Sequence, residues 1–213
     1  MKRFSIPLLL TVLFLSCARS YHPIYPEAVS YERSRILYED IEIAYAHQMQ
    51  FLARNPPAIR KETKKGVQLI AVRIDNNSNH YIQLNESRFS VSTSSGRSIA
   101  ILSPEQYFKA TRQQPETFIF FYSIAGIGYF EEETTSYPSG NTTTRGRITY
   151  SPLPPAIGIL NAIVAGSANS RERANLENNQ IFERPIPPNT SLYGLLAISN
   201  HQYSELVFQY DSE

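Results

Sequence analysis

The sequence predicts a mainly β protein, an antiparallel immunoglobulin-like β-sandwich with an apolar helical insertion at about residues 103–180. Three observations lead there. Short runs rich in β-branched and aromatic residues, punctuated by Asn, Asp, Ser and Gly clusters, fill residues 34–102. Two apolar segments, from Thr117 and from Pro154, interrupt that pattern. Two more strand-like runs, 192–198 and 205–210, close the chain, so one sandwich is completed by sequence-distant pieces. Composition agrees: 42% of the 213 residues are hydrophobic, with 14 Tyr, 11 Phe and no Trp.

Each element has a local reason. Residues 18–33, with Pro23, Pro26 and three tyrosines, read as a tether. In the next segment Ile41, Ile43, Tyr45, Met49 and Phe51 share a face at period two, whereas Tyr38, Ile41, Tyr45, Met49 and Leu52 repeat at helical spacing. Its β-branched and aromatic content favours a half-buried strand, ended by Asn55-Pro56-Pro57. The basic stretch 60–66 reads as a charged hairpin or loop. Residues 67–74 are apolar on both faces, the pattern of a central strand, and 75–79 form a turn cluster. Short strands follow at 81–84, 88–92 and 98–102, the last pair turned by Ser95-Gly96.

Ser103 at the cap and Pro104 in the first turn predict a helix over 104–113 that stops before Pro115. The polar stretch 131–150 reads as a mobile loop. Pro154-Pro155 opens an apolar helix to about Asn169, with 171–179 as its charged continuation.

The amino terminus carries an address. Basic Lys2-Arg3 precedes the ten-residue apolar run Ile6–Leu15, too short for the ~20 residues of a membrane-spanning helix. Small Ser16 and then Cys17, the only cysteine, follow directly. This resembles the lipobox of bacterial lipoproteins, in which a signal peptide is cleaved before a Cys that receives acyl chains. Phe14 and Leu15 stand where that box usually has Leu and a small residue. An ordinary secretory signal cleaved near Ser16 to Ser20 is the other reading of the segment. By the lipobox resemblance, residues 1–16 form the signal peptide, 17–33 the lipidated Cys17 and tether, and 34–213 a single domain. Cleavage removes two of 20 basic residues and leaves 19 acidic ones, so the net charge moves from +1 to −1. Ala18, in place of Asp after the Cys, implies the outer membrane by the same resemblance, facing the periplasm because residues 19–23 lack an acidic cluster.

The mature chain also resembles uncharacterised bacterial envelope lipoproteins of the Gram-negative type. The residues that carry this are Lys64-Lys65-Gly66, Asn76-Asn77-Ser78, Gly166-Ser167-Ala168-Asn169 and Tyr193-Gly194-Leu195. That resemblance implies no activity.

Chemistry-bearing patterns are missing. His22, His47, His80 and His201 lack metal-ligand spacing, and no metal or cofactor is expected. His47 reads as a core imidazole on the apolar face; His80 and His201 fall in turns. Glu131-Glu132-Glu133 reads as a solvated charge run, and no carboxylate pair stands out for acid/base work. Gly126-Ile127-Gly128 lacks the context of a dinucleotide loop, and a lipidated Cys17 leaves no thiol nucleophile. Near-zero net charge argues against a nucleic-acid partner. No enzyme is expected.

The insertion is the most informative stretch. Residues 118–130 are apolar all round, as are 156–165 apart from Asn161, and Gly158, Ala162 and Gly166 recur at every fourth position. One reading packs the two segments together through these small residues over the sandwich. The other exposes Phe118, Phe120, Phe121 and Tyr122 as a contact for the membrane surface or an envelope protein partner. The expected function is accordingly a non-enzymatic, membrane-anchored envelope lipoprotein that presents an interaction surface. The alternative is a carrier or sensor that binds an apolar ligand between the insertion and the sheet.

Overall fold

In a computed structural model of the chain, the described residues are 18–31, 35–47, 55–125, 129–136, 142–149, 153–201 and 204–211. Their contacts divide the chain into two compact units. The first comprises Met1–Ser20 and Gln113–Ala168, the second Tyr21–Arg112 and Asn169–Glu213.

The second unit is sheet-rich and antiparallel. Its largest sheet runs β1 (Arg35–Tyr38), β2 (Ile41–His47), β3 (Gln68–Asn76), β11 (Thr190–Ile198) and β7 (Ile101–Leu102), in that spatial order. A three-stranded sheet holds β5 (Phe89–Thr93) between β12 (Leu206–Tyr210) and β6 (Ser98–Ile99), and β4 (Ile82–Gln83) pairs with β10 (Pro185–Ile186). The sequence-distant closure is direct: all nine residues of β11 pair with β3, from Thr190 opposite Asn76 to Ile198 opposite Gln68. Apolarity on both faces made β3 central, and Leu69, Ile70, Ala71, Val72 and Ile74 are at most 1% exposed. β2 is buried on both faces too, because small Ala44 and Ala46 are covered along with Ile43 and Tyr45. The core cluster combines Ile43, Ile70, Val72 and Leu196 of the large sheet with Phe89, Val91, Leu206 and Phe208 of the smaller one.

Four expectations change here. The basic stretch 60–66 is not a loop but most of α1 (Pro56–Lys65). Asn55 and two prolines open it, Lys64 and Lys65 complement its carboxyl end, and Gly66 closes it in the left-handed conformation at φ 66°. The turn at 75–79 starts later, since Asp75 and Asn76 complete β3. The single strand 98–102 is two short strands in different sheets, with Ala100 accepting from the Ser199 amide at 2.8 Å. The segment read as a tether is docked from Tyr21 onward. Tyr21, Ile24 and Pro26 are buried, and the Ile24 amide and carbonyl both bond the Asn175 side chain at 3.0 Å.

α2 (Pro104–Thr111) follows the expected start, with a reciprocal capping box between Ser103 and Gln106. Three short motifs gain reasons as well. The Asn76 amide donates to the carbonyls of His80, Ile186 and Pro187, while its oxygen accepts from Ser78, so one buried side chain ties three backbone segments. A Cβ on Gly194 would lie 2.4 Å from Ile181 Cγ2 and 2.6 Å from the Asn179 carbonyl, so only glycine lets that segment cross β11. A Cβ on Gly66 would meet the His201 ring.

The first unit contains α3 (Pro115–Ala125), a hairpin of β8 (Tyr129–Ser136) and β9 (Thr142–Thr149), and the start of α4 (Leu153–Asn178), which continues into the second unit. The stretch expected to be a mobile loop is this hairpin, paired from Tyr129 opposite Thr149 to Ser136 opposite Thr142. Threonine-rich strands form readily because a β-branched side chain suits extended backbone. The apolar run 118–130 therefore does not continue as one element: it is helical to Ala125 and extended from Tyr129.

Candidate interaction surface

α3 begins at Pro115, whose missing N–H costs nothing in a first turn, and Glu116 complements the positive end of the helix. Tyr122 is 2% exposed and Phe118 is half-buried, one turn apart on the face that meets α4. Gly158 makes that approach feasible. A Cβ there would lie 2.7 Å from Tyr122 Cβ and 3.1 Å from the Phe118 carbonyl oxygen. The small-residue pattern works at this position but not at Gly166, where an added Cβ would meet nothing within 4 Å.

Away from that contact, both helices carry large apolar side chains at the surface. In α3, Ile119 is 46% exposed and Phe120 and Phe121 are each 62% exposed, with the two phenyl rings edge-to-face at 6.0 Å. In α4, Ile159, Leu160, Ile163 and Val164 are exposed as well. Monomeric soluble proteins rarely leave so many large apolar side chains together at the surface. Of the four aromatic residues expected to make contact, Phe120 and Phe121 are at the surface and Phe118 lies at its margin. Tyr122 is a correction: its i, i+4 relation to Phe118 turns it inward against Gly158. Ser16 and Cys17 lie outside the described residues.

The chain just beyond Cys17 belongs to this unit. The Ala18 amide donates to Asn161 Oδ1 at 3.1 Å, the Arg19 amide donates to Gln113 Oε1 at 3.3 Å, and Gln113 Nε2 donates to the Arg19 carbonyl at 2.6 Å. Among the described residues, no helix is long and apolar enough to cross a membrane.

The second unit holds a buried acid cluster that sequence reading missed. Glu62 of α1 is 0% exposed; its Oε1 accepts from the Tyr107 hydroxyl at 2.5 Å and the Leu69 amide at 3.0 Å, while its Oε2 is buried without a hydrogen-bond partner. Burial pushes its pKa up to about 8, with the nearby Glu172 carboxylate adding to the rise and the two hydrogen bonds opposing it. Glu172 is also raised by burial, although Thr111 donates to it at 2.7 Å and Lys61 lies close enough to lower it. Lys61 donates to the carbonyls of Thr111 (2.9 Å) and Arg112, capping the carboxyl end of α2. Burial lifts Tyr21 and, above all, Tyr107 as well, so both hydroxyls stay protonated. The arrangement therefore cross-links α1, α2 and α4 through the Glu62–Tyr107 and Thr111–Glu172 hydrogen bonds, and its members come from distant parts of the chain.

The remaining candidates stay apart. His47 is half-buried with its ring edge-on to Tyr45 at 5.3 Å, while His22, His80 and His201 are exposed. Among the described residues, no group of three His, Cys, Asp or Glu could hold a metal ion. Two cavities in the second unit, of about 100 and 170 Å³, are smaller than the ~300 Å³ at which small-molecule pockets begin. Comparison with family models, curated proteins and solved structures finds no match.

Proposed function

We propose that the protein is a non-enzymatic, membrane-anchored lipoprotein of the bacterial cell envelope, held by acyl chains on Cys17. It faces the periplasm from the outer membrane and presents an interaction surface built from its apolar insertion. The observation that carries the reading is the exposure of Phe120, Phe121, Ile159, Leu160 and Ile163 in the unit that also contains the segment following Cys17. A single acyl chain binds membranes weakly, so stable anchoring needs a second signal, which further chains or an apolar surface supply. For the second unit the finer proposal is an immunoglobulin-like β-sandwich. Its support is one core shared by a five-stranded and a three-stranded antiparallel sheet.

The test is fractionation with mass analysis of Cys17. Wild type is expected in the membrane fraction with an acylated amino-terminal peptide. Cys17→Ser is expected to lose acylation and to shift towards the soluble fraction. An unmodified Cys17 in the membrane-bound wild type would refute the anchor.

A further inference from the structure

We infer that α3 and the apolar half of α4 are immersed in the lipid leaflet that receives the acyl chains of Cys17, as a wedge about half a bilayer deep. This rests on the anchored-lipoprotein reading and names lipid as what meets the exposed side chains.

The distribution of apolar side chains fits lipid better than a protein groove. Ile119, Phe120 and Phe121 are consecutive, and at 3.6 residues per turn they sweep roughly 200° of α3. Ile159, Leu160, Ile163 and Val164 cover the side of α4 away from Gly158. A helix that docks on a protein carries one apolar stripe, whereas these two are apolar around most of their outward circumference. No charged residue occurs within 117–130 or 153–170, so immersion desolvates no ion. Eleven residues of α3 reach roughly 16 Å, against ~30 Å for the whole hydrocarbon core. That length suits one leaflet and cannot span two.

The second line of support is where the anchor enters. Asn161 is the only strongly polar side chain between Ala156 and Gly166 and would be costly in hydrocarbon. Its Oδ1 accepts the amide of Ala18, the residue bonded to Cys17. The same contact satisfies part of the one strongly polar side chain in this stretch and ties the residue after Cys17 to α4 itself. Acyl chains on Cys17 would be attached one residue from an amide held by α4, so they and the helices enter the same leaflet.

The chain has no tryptophan, so Phe121→Trp and Ile163→Trp each create a single reporter at an exposed position. The full acylated protein is purified from membranes and reconstituted into phosphatidylethanolamine–phosphatidylglycerol vesicles, with and without acyl-chain bromination. Both reporters are expected to shift to the blue and to be quenched at least about twofold by bromine placed ~5–10 Å below the headgroups. Water-like emission from protein whose Cys17 is acylated overturns the wedge and leaves the anchor standing. Blue-shifted but unquenched emission means that protein, a second copy or a partner, covers the helices, and also overturns it. Quenched reporters on protein with an unmodified Cys17 refute the anchor and keep lipid contact.

Discussion

Two regions of this chain carry apolar runs of similar composition and treat them in opposite ways. In β3 and β11, Ile70, Val72, Leu196 and Ile198 are almost entirely buried in the shared core. In α3 and α4, Phe120, Phe121, Leu160 and Ile163 remain more than half exposed. Hydrophobic content alone does not distinguish a core from a contact surface; the geometry of what surrounds it does. A strand apolar on both faces finds two sheet neighbours and a second layer. A helix apolar on most sides contributes one face to its partner and leaves the rest to be covered from outside.

The largest expected effect lies in the buried half of this comparison. The folded Glu62 carboxyl holds its proton to about pH 8, whereas the unfolded one loses it near the ordinary value of 4.5. The folded state therefore binds the extra proton between those limits. Stability is full below pH 4.5 and falls as pH rises through 8, by roughly 5 kcal/mol from this group. Glu172, also raised, acts in the same direction. Urea unfolding across that range is expected to show the decline, and Glu62→Gln to flatten it; a rise in stability towards pH 8 would contradict the protonated cluster.

Next comes packing. Ile70→Ala is expected to cost about 3 kcal/mol in the same unfolding measurement, because it opens a cavity in the core that the two sheets share. Asn76→Ala is expected to cost about 2 kcal/mol by leaving the Ile186 carbonyl and the Ser78 hydroxyl short of partners in a buried site. The smallest effect sharpens the contrast most. Phe121→Ala removes a larger side chain than either, yet is expected to change stability by no more than about 0.5 kcal/mol, because its ring is already exposed. A cost comparable to that of Ile70→Ala would mean that Phe121 belongs to a core.

Much of the buried half was legible from local signals. Two-sided apolarity marked β3, alternation marked β2, and Ser103-Pro104 marked the start of α2. α1 was misread because its charged residues outweighed signals already present, prolines at the start and Gly66 at the end. The β8–β9 hairpin was missed because consecutive runs of glutamate and threonine carry no hydrophobic alternation, although threonine favours extended backbone. The Glu62–Tyr107–Thr111–Glu172 cluster had no local signature at all. Its members meet only when α1, α2 and α4 pack, and a lone Glu in an amphipathic helix gives no sign of burial. For the surface, sequence identified the apolar insertion. Side-chain direction, which turns Tyr122 in and Phe121 out, required the packing at Gly158.

The most direct test of the central claim is photolabelling of the membrane-reconstituted, acylated chain with a carbene-generating lipid, followed by peptide mapping. Label is expected in the peptides covering 117–125 and 156–166, with the buried strands 68–76 and 190–198 spared. Label confined to the acylated amino-terminal peptide, with both helical peptides clean, would show that the exposed apolar side chains do not meet lipid and would contradict the account.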